Sequence, residues 1–255
     1  MQDLISFTEL MAHEAGEIAR RYFRQNPEIE TKDDASPVTI ADKSIERKLR
    51  EMIEVARPRD GFLGEEFGTK ESDSGLMWVV DPIDGTKSFI AGRPSFGTLI
   101  ALWDGDMPLL GAIYQPITDE LWIGAQEHPT TLNNHRISTR KNPPPKKLRI
   151  GSTSPAQFDD KPELLKALRD HADFFIWGGD CYLYGLLAQG GLDVVIETGL
   201  SAYDYAPMPA IIHGAGGLTC SFGGRPLTLK NDVSLLAIGD ESLKEPLITL
   251  IAEYD

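Results

Sequence analysis

The sequence predicts a mixed α+β / α/β fold, on three observations. Two stretches near the N-terminus carry apolar residues at helical spacing, and a series of short β-type runs separated by turn residues follows them. Beyond three consecutive prolines, strands and helices alternate. The chain has 255 residues, 41% of them apolar and 25% charged, which allows a substantial core in one large domain or two closely packed halves.

In the first stretch Leu4, Phe7, Met11, Ala15, Ile18 and Tyr22 recur at steps of three and four, so residues 4–23 form an amphipathic helix, with Ser6 and Glu9 spaced for a capping box. A polar connection covers 31–37, and its charged part, 32–37, suits a flap that closes over a site. The second helix, 39–55, turns Ile45, Leu49, Met52 and Ile53 inward. Strands are expected at 61–63, 77–80, 95–102, 109–114 and 120–124, joined by Gly, Pro and Asp turns into one sheet. Pro143, Pro144 and Pro145 disfavour both helix and central strand, and so divide the chain into 1–142 and 146–255. In the second half, strands at 148–151, 174–177, 194–197, 217–220 and 234–237 interleave with helices at 162–172, 181–189, 205–214 and 241–252.

Several function classes fall away on charge and composition. A net charge of -14 repels nucleic-acid backbones and anionic membranes, but suits bound cations. No stretch approaches membrane-spanning length, and Met1-Gln-Asp-Leu-Ile-Ser6 is not a basic leader, so a cytoplasmic protein is expected. Cys181 and Cys220 lie far apart without CxxC spacing and read as reduced, buried thiols. The five histidines form no metal-ligand pattern, which leaves Ser-His-Asp catalysis with little support.

The chemistry concentrates in Trp78-Val-Val-Asp-Pro-Ile-Asp-Gly-Thr86. A strand fit for burial runs into Asp81 and Asp84, charges that are costly to bury unless paired or metal-bound. Together with the carbonyl of Ile83 they supply closely spaced oxygens of the kind Mg²⁺ prefers. Gly85 and Thr86 add backbone N–H groups and a hydroxyl that can receive an anion, so metal and phosphate would lie side by side. Lys87 and Arg93 are nearby cations that could meet the same phosphate. The competing reading is a plain Asp-Pro-Gly turn. An EF-hand does not fit, since twelve positions from Asp81 reach Gly92 instead of a glutamate.

With Gly64-Glu-Glu66 upstream, Tyr203-Asp204 and Ala215-Gly-Gly217 downstream, and Val38-Thr-Ile-Ala-Asp42 before them, the chain resembles the inositol monophosphatase family over most of its length. The resemblance implies a layered αβαβα sandwich, a likeness to homodimeric enzymes, and dependence on two or three Mg²⁺ ions. It places Glu65, Asp81, the Ile83 carbonyl, Asp84 and Asp204 as metal ligands, with Asp42 near a third, weaker ion. Residues 1–142 would then carry most ligands, and 146–255 would complete the metal and substrate sites. Gly85 and Thr86 would contact phosphate, and Glu65, Thr86 and Asp84 form the catalytic set. The implied reaction is hydrolysis of a small phosphomonoester by metal-activated water, without a phosphoenzyme. Asp42 has a second reading as a helix cap, and Glu66 as a bystander facing solvent.

The alcohol side of the substrate is read from Trp177-Gly-Gly-Asp-Cys-Tyr182. Asp180 stands where inositol monophosphatases usually carry a small neutral residue, and with Glu197 it would make a pocket suited to a cationic alcohol, lined by Trp177 and Tyr182. This segment and Ile90-Ala-Gly-Arg-Pro94 look like the histidinol-phosphate phosphatase branch of the family, which implies histidinol phosphate as substrate and a place in histidine biosynthesis. The alternative is an inositol-1-phosphate or broad sugar-phosphate phosphatase. Asp180 could instead cap a helix beginning at Cys181, with Trp177 and Tyr182 as core aromatics.

Overall fold

A computed structural model describes residues 1–25, 29–31, 37–230 and 234–254, with the backbone alone at 29–31 and 37–38. Residues 32–36 of the expected flap lie outside the described residues. The first half contains α1 (Gln2–Tyr22), a short antiparallel pair β1 (Ile29–Thr31) and β2 (Pro37–Thr39), and α2 (Ile40–Ala56). Then come β3 (Gly61–Gly64), β4 (Gly68–Lys70), β5 (Leu76–Asp84), α3 (Thr86–Ile90), β6 (Gly97–Asp104), β7 (Met107–Gln115), β8 (Glu120–Ala125), β9 (His128–Leu132) and β10 (His135–Arg136). The last eight of these strands form one sheet in the order β10-β9-β8-β7-β6-β5-β3-β4, antiparallel except where β3 runs parallel to β5.

The second half contains β11 (Leu148–Ser152), α4 (Pro162–His171), β12 (Ala172–Trp177), α5 (Tyr182–Ala188), β13 (Val194–Thr198), α6 (Ala202–Tyr205), α7 (Met208–Gly214), β14 (Leu218–Cys220), β15 (Ser234–Ile238) and α8 (Lys244–Ala252). Its five strands lie in the order β12-β11-β13-β15-β14, with β11 parallel to both neighbours. The three prolines at 143–145 fall between the two sheets.

Alternation along the strands sorts the core into layers. Met11, Ala15, Ile45 and Leu49 of α1 and α2 pack against Trp78, Val80, Ile100 and Leu102 on one face of the large sheet. From its other face, Leu99, Ile113 and Trp122 meet α5 and α7, which in turn cover Val195, Leu235 and Ala237 of the small sheet. The neighbouring residues Val194, Ile196, Leu236 and Ile238 point the opposite way, onto Leu164 and Leu168 of α4 and Leu247 and Ile251 of α8. The result is the five-layer αβαβα sandwich. Because both faces of the central strands are covered, they read as unbroken apolar runs.

Glycines set the spacing of the middle layer. Gly111 and Gly124 are register partners on β7 and β8, and a Cβ on either would collide with the backbone of residue 207 or 210 at the start of α7. Trp103 Nε1 donates to the carbonyl of Ala206 at 3.0 Å from the same sheet. Four expected elements are corrected. The first helix begins at Gln2 with Met1 as its cap, so Ser6 and Glu9 form no capping box. β5 does not stop at Val80 but continues through Asp84. The helix expected at 205–214 is divided into α6 and α7 around Ala206 and Pro207, and the last helix starts with a 3₁₀ turn over Glu241–Leu243.

Candidate active site

Parallel pairing and one bulge create the acidic centre. β3 and β5 run side by side with Gly64 opposite Val80, so the next residues, Glu65 and Asp81, emerge together at the strand ends. On the other edge of β5, Asp81 pairs with Leu99 and Asp84 with Gly97, three residues against two. In a regular strand, residues three apart face opposite sides of the sheet. The extra residue is a β-bulge that re-aims Asp84 to the side of Asp81. Asp81 Oδ1 accepts from the N–H of Ile83 at 3.0 Å, and Thr98 Oγ1 donates to the Pro82 carbonyl at 2.8 Å, fixing the kink.

Two elements of the second half complete the centre. Asp204 is the third residue of α6 and accepts from the N–H of Ser201 at 2.6 Å in a capping box. The N–H of Cys181 donates to Asp84 Oδ2 at 2.6 Å. Asp81, Asp84 and Asp204 each bring one carboxylate oxygen to within 4.8 Å of the others. Burial, then the charges of Glu65, Asp84 and Asp204, push the Asp81 carboxyl well above its ordinary value. Asp84 is pushed up by burial and by Asp180 and Asp204, against the pull of the Cys181 N–H. Such a set either holds protons or is bridged by a cation, and its hard oxygens fit Mg²⁺.

Asp42 stands apart from that group. Its Oδ2 accepts from the N–H of Thr39 at 2.8 Å and from Thr39 Oγ1 at 2.6 Å, which is the helix-capping arrangement read as its second role. Burial lifts its carboxyl to about 6, and the charge of Glu65 adds to that. Gly85 and Thr86 lie where β5 turns into α3, with Thr86 Oγ1 donating to the Ile83 carbonyl at 3.2 Å.

A cavity of about 140 Å³ opens beside Asp84 and Asp204, and its far wall includes Thr153, Asp180, Tyr184 and Glu197. Asp180 does not cap α5, whose cap residue is Cys181. With φ of 48°, it turns its carboxylate back across the site, where Oδ2 accepts from Ser88 at 2.6 Å and Ser95 at 3.1 Å. Glu197 accepts from the N–H of Thr153 at 2.8 Å and from Tyr184 Oη at 2.6 Å. Burial raises its carboxyl, partly offset by those two donors.

Trp177 and Tyr182 do not line this cavity. Trp177 stacks on Phe175 at 4.2 Å between ring centroids, and Tyr182 packs edge-on against Trp122 while donating to Glu120 at 2.6 Å. Nor do Lys87 and Arg93 line it; Lys87 is exposed, and Arg93 reaches toward the Trp177 carbonyl. Tyr184 and Thr153 were not singled out from sequence. Tyr184, the third residue of α5, reaches Glu197 on β13 with its hydroxyl, and its four-residue spacing from Asp180 was the signal available in the sequence. Both cysteines are free and buried.

The inositol monophosphatase family model matches residues 1–255. The chain is 44% identical over 218 residues to the bifunctional phosphatase IMPL2 of Arabidopsis thaliana, covering 84% of this chain and 63% of that protein's length. It is 33% identical to the histidinol-phosphatase of Chlorobaculum parvum, with 84% of each covered. An inositol monophosphatase structure from Zymomonas mobilis superposes with a TM-score of 0.89 at 40% identity, over 98% of both chains. The expected placement nearest the histidinol-phosphate branch is overturned, because identity to IMPL2 exceeds identity to that histidinol-phosphatase by 11 percentage points (44 − 33). Matched over its whole length and carrying the acidic metal-binding cluster, the chain belongs to the inositol monophosphatase family of metal-dependent phosphomonoesterases.

Proposed function

We propose that the protein is a Mg²⁺-dependent phosphatase of small hydroxylated phosphate esters, inositol 1-phosphate or sugar phosphates, accepted with broad scope. The observation that carries this reading is the position of the Asp81, Asp84 and Asp204 cluster beside a cavity of about 140 Å³. Pockets that enclose drug-sized ligands run to roughly 300–1,000 Å³, so this one favours a small alcohol over a nucleoside. The likeness to the Zymomonas mobilis inositol monophosphatase, and to the inositol-1-monophosphatase of Rhizobium meliloti at 30% identity over 94% of this chain, supports the same substrate class.

In this reading Glu65, Asp81, Asp84, Asp204 and the Ile83 carbonyl would hold the ions, with Asp42 near a third. Mg²⁺ held there would lower the pKa of water and offset the charge of phosphoryl oxygens. The chain supplies the rest: backbone N–H groups at Gly85 and Thr86 receive the phosphate, while Glu65 and Thr86 orient the attacking water, Glu65 taking its proton. Asp180 and Glu197 keep lone pairs beyond those used by their protein donors, and these accept the hydroxyls of the leaving alcohol. A homodimer in the cytoplasm belongs to this reading, and light scattering on purified protein tests the dimer.

One observation favours histidinol phosphate as a second reading. Four carboxylates, of Asp84, Asp180, Glu197 and Asp204, border the cavity, and among the described residues no lysine, arginine or histidine does, which suits an ammonium on the leaving alcohol. The experiment is kcat/KM with Mg²⁺ for inositol 1-phosphate, a sugar phosphate and histidinol phosphate, using wild type and Asp180→Ala. Comparable turnover of the first two supports the main reading. A preference for histidinol phosphate that disappears in Asp180→Ala replaces it with the second, and release from none of the three overturns both.

A further inference from the structure

The carboxylate of Glu46 is fully buried on α2, yet it lies outside the acidic cluster and has no part in the chemistry described above. Asp42, Glu46 and Arg50 are spaced by four residues and share one face of α2. That face grips the β3–β4 turn at three successive residues. Glu46 Oε2 accepts from the N–H of Glu66 at 2.7 Å, and Oε1 accepts from the N–H of Phe67 at 3.0 Å. Arg50 Nη2 donates to the Gly68 carbonyl at 2.8 Å and to Glu46 Oε1 at 3.2 Å, with its guanidinium 4.2 Å above the Phe62 ring. On the other side of the turn, a Cβ at Gly64 would collide with the Glu46 carboxylate. Glu65 is the one residue between Gly64 and Glu66, so both of its chain neighbours are set by Glu46.

We propose that Glu46 is a positioning residue of the catalytic centre, holding the turn so that Glu65 meets Asp81 and the metal. The proposal rests on the reading that Glu65 works at that centre. A buried carboxylate is costly, and here both of its oxygens are spent on two backbone N–H groups of one turn, in addition to a single guanidinium. Packing alone would be served by an apolar residue of similar volume. Groups that orient metal ligands typically alter metal affinity or activity by roughly 10–100-fold when removed.

The test compares wild type, Glu46→Gln, Glu46→Asp and Glu65→Gln. Each is read by the Mg²⁺ dependence of Tm in metal-free protein and by kcat and KM for the best substrate. Glutamine places an amide NH₂ against one of the two N–H groups, and aspartate keeps the charge but falls a methylene short. Both are expected to raise the half-saturating Mg²⁺ and lower kcat by about tenfold or more, with KM for substrate within about twofold. Either variant carries the test if the other does not fold. Unchanged Mg²⁺ dependence and kcat in a folded variant, while Glu65→Gln is impaired, overturns the proposal alone. Full activity of Glu65→Gln overturns the reading beneath it. Recovery by Glu46→Asp to wild-type values overturns the Glu46 proposal and not that reading, because charge and not the grip on the turn would then suffice.

Discussion

Gly85 has no room for a side chain. A Cβ there would lie 2.7 Å from Cγ of Asp180, and its φ of 79° is in the left-handed region. Gly85→Ala is expected to push Asp180 off Ser88 and Ser95, lowering kcat/KM at least about tenfold and destabilising the fold by about 1–3 kcal/mol, read by activity assay and urea unfolding. Tyr184→Phe removes a donor from buried Glu197, which costs about 1–3 kcal/mol and should appear as an earlier urea midpoint. At this scale Asp81 and Asp84 were legible, because a buried strand that runs into two acids demands compensation, while Asp204 joined them only through the family resemblance. The partners of Asp180 were not. Ser88 and Ser95 lie 92 and 85 residues away in sequence, and a local rule sees only a helix about to begin.

Among the elements, β5 and α2 do the most to place the site. The bulge between Asp81 and Asp84 gives the Asp-Pro-Ile-Asp run its meaning: proline and an extra residue turn two acids to one side. From sequence the run read as a turn after a strand, since proline and glycine are turn residues, and the pairing with β6 that keeps it extended is invisible locally. α2 begins with Thr39, whose Oγ1 both accepts from the N–H of Ala41 and donates to Asp42. Thr39→Ala is expected to cost about 1 kcal/mol in denaturant unfolding and to remove the hydroxyl donor from Asp42, which keeps the backbone N–H of residue 39. A stability unchanged within error would remove the cap from this account. The division of one expected helix into α6 and α7 had a local signal, because Pro207 and Pro209 are tolerated in the first turn of a helix and not in its interior.

For the whole molecule, the five layers were legible only through the family resemblance, since periodicity gave the elements and their order but not their stacking. The middle layer was partly legible, because α5 and α7 carry no Asp, Glu, Lys or Arg, whereas the outer α4 carries Glu163, Lys166, Arg169 and Asp170. The charge distribution makes the molecule sensitive to pH in two directions. Asp240, held down to about 2 by Ser242 and the N–H of Asn142, contributes stability above its unfolded value near 3.8 that is lost as pH falls through about 2. Asp60 acts in the same sense, because hydrogen bonds from Ser74, Arg57 and Trp78 outweigh its burial. Asp81 and Asp84 act oppositely: raised by burial and neighbouring charge, they favour the metal-free fold at low pH, and that contribution is lost as pH rises through their raised values. Mg²⁺ must displace those protons, so the rise in Tm on adding Mg²⁺ is expected to be larger at pH 8 than at pH 5. Equal shifts at the two pH values, measured by scanning fluorimetry, would detach the metal from these carboxylates.

The most direct test is phosphate release from inositol 1-phosphate and histidinol phosphate by wild type and Asp84→Asn, each with Mg²⁺ and with a chelator. Release by the wild type with Mg²⁺ alone, reduced by about a hundredfold or more in Asp84→Asn, is the expected result. Release that persists in the chelator, or in Asp84→Asn at the wild-type rate, would contradict a metal-dependent phosphatase centred on this cluster.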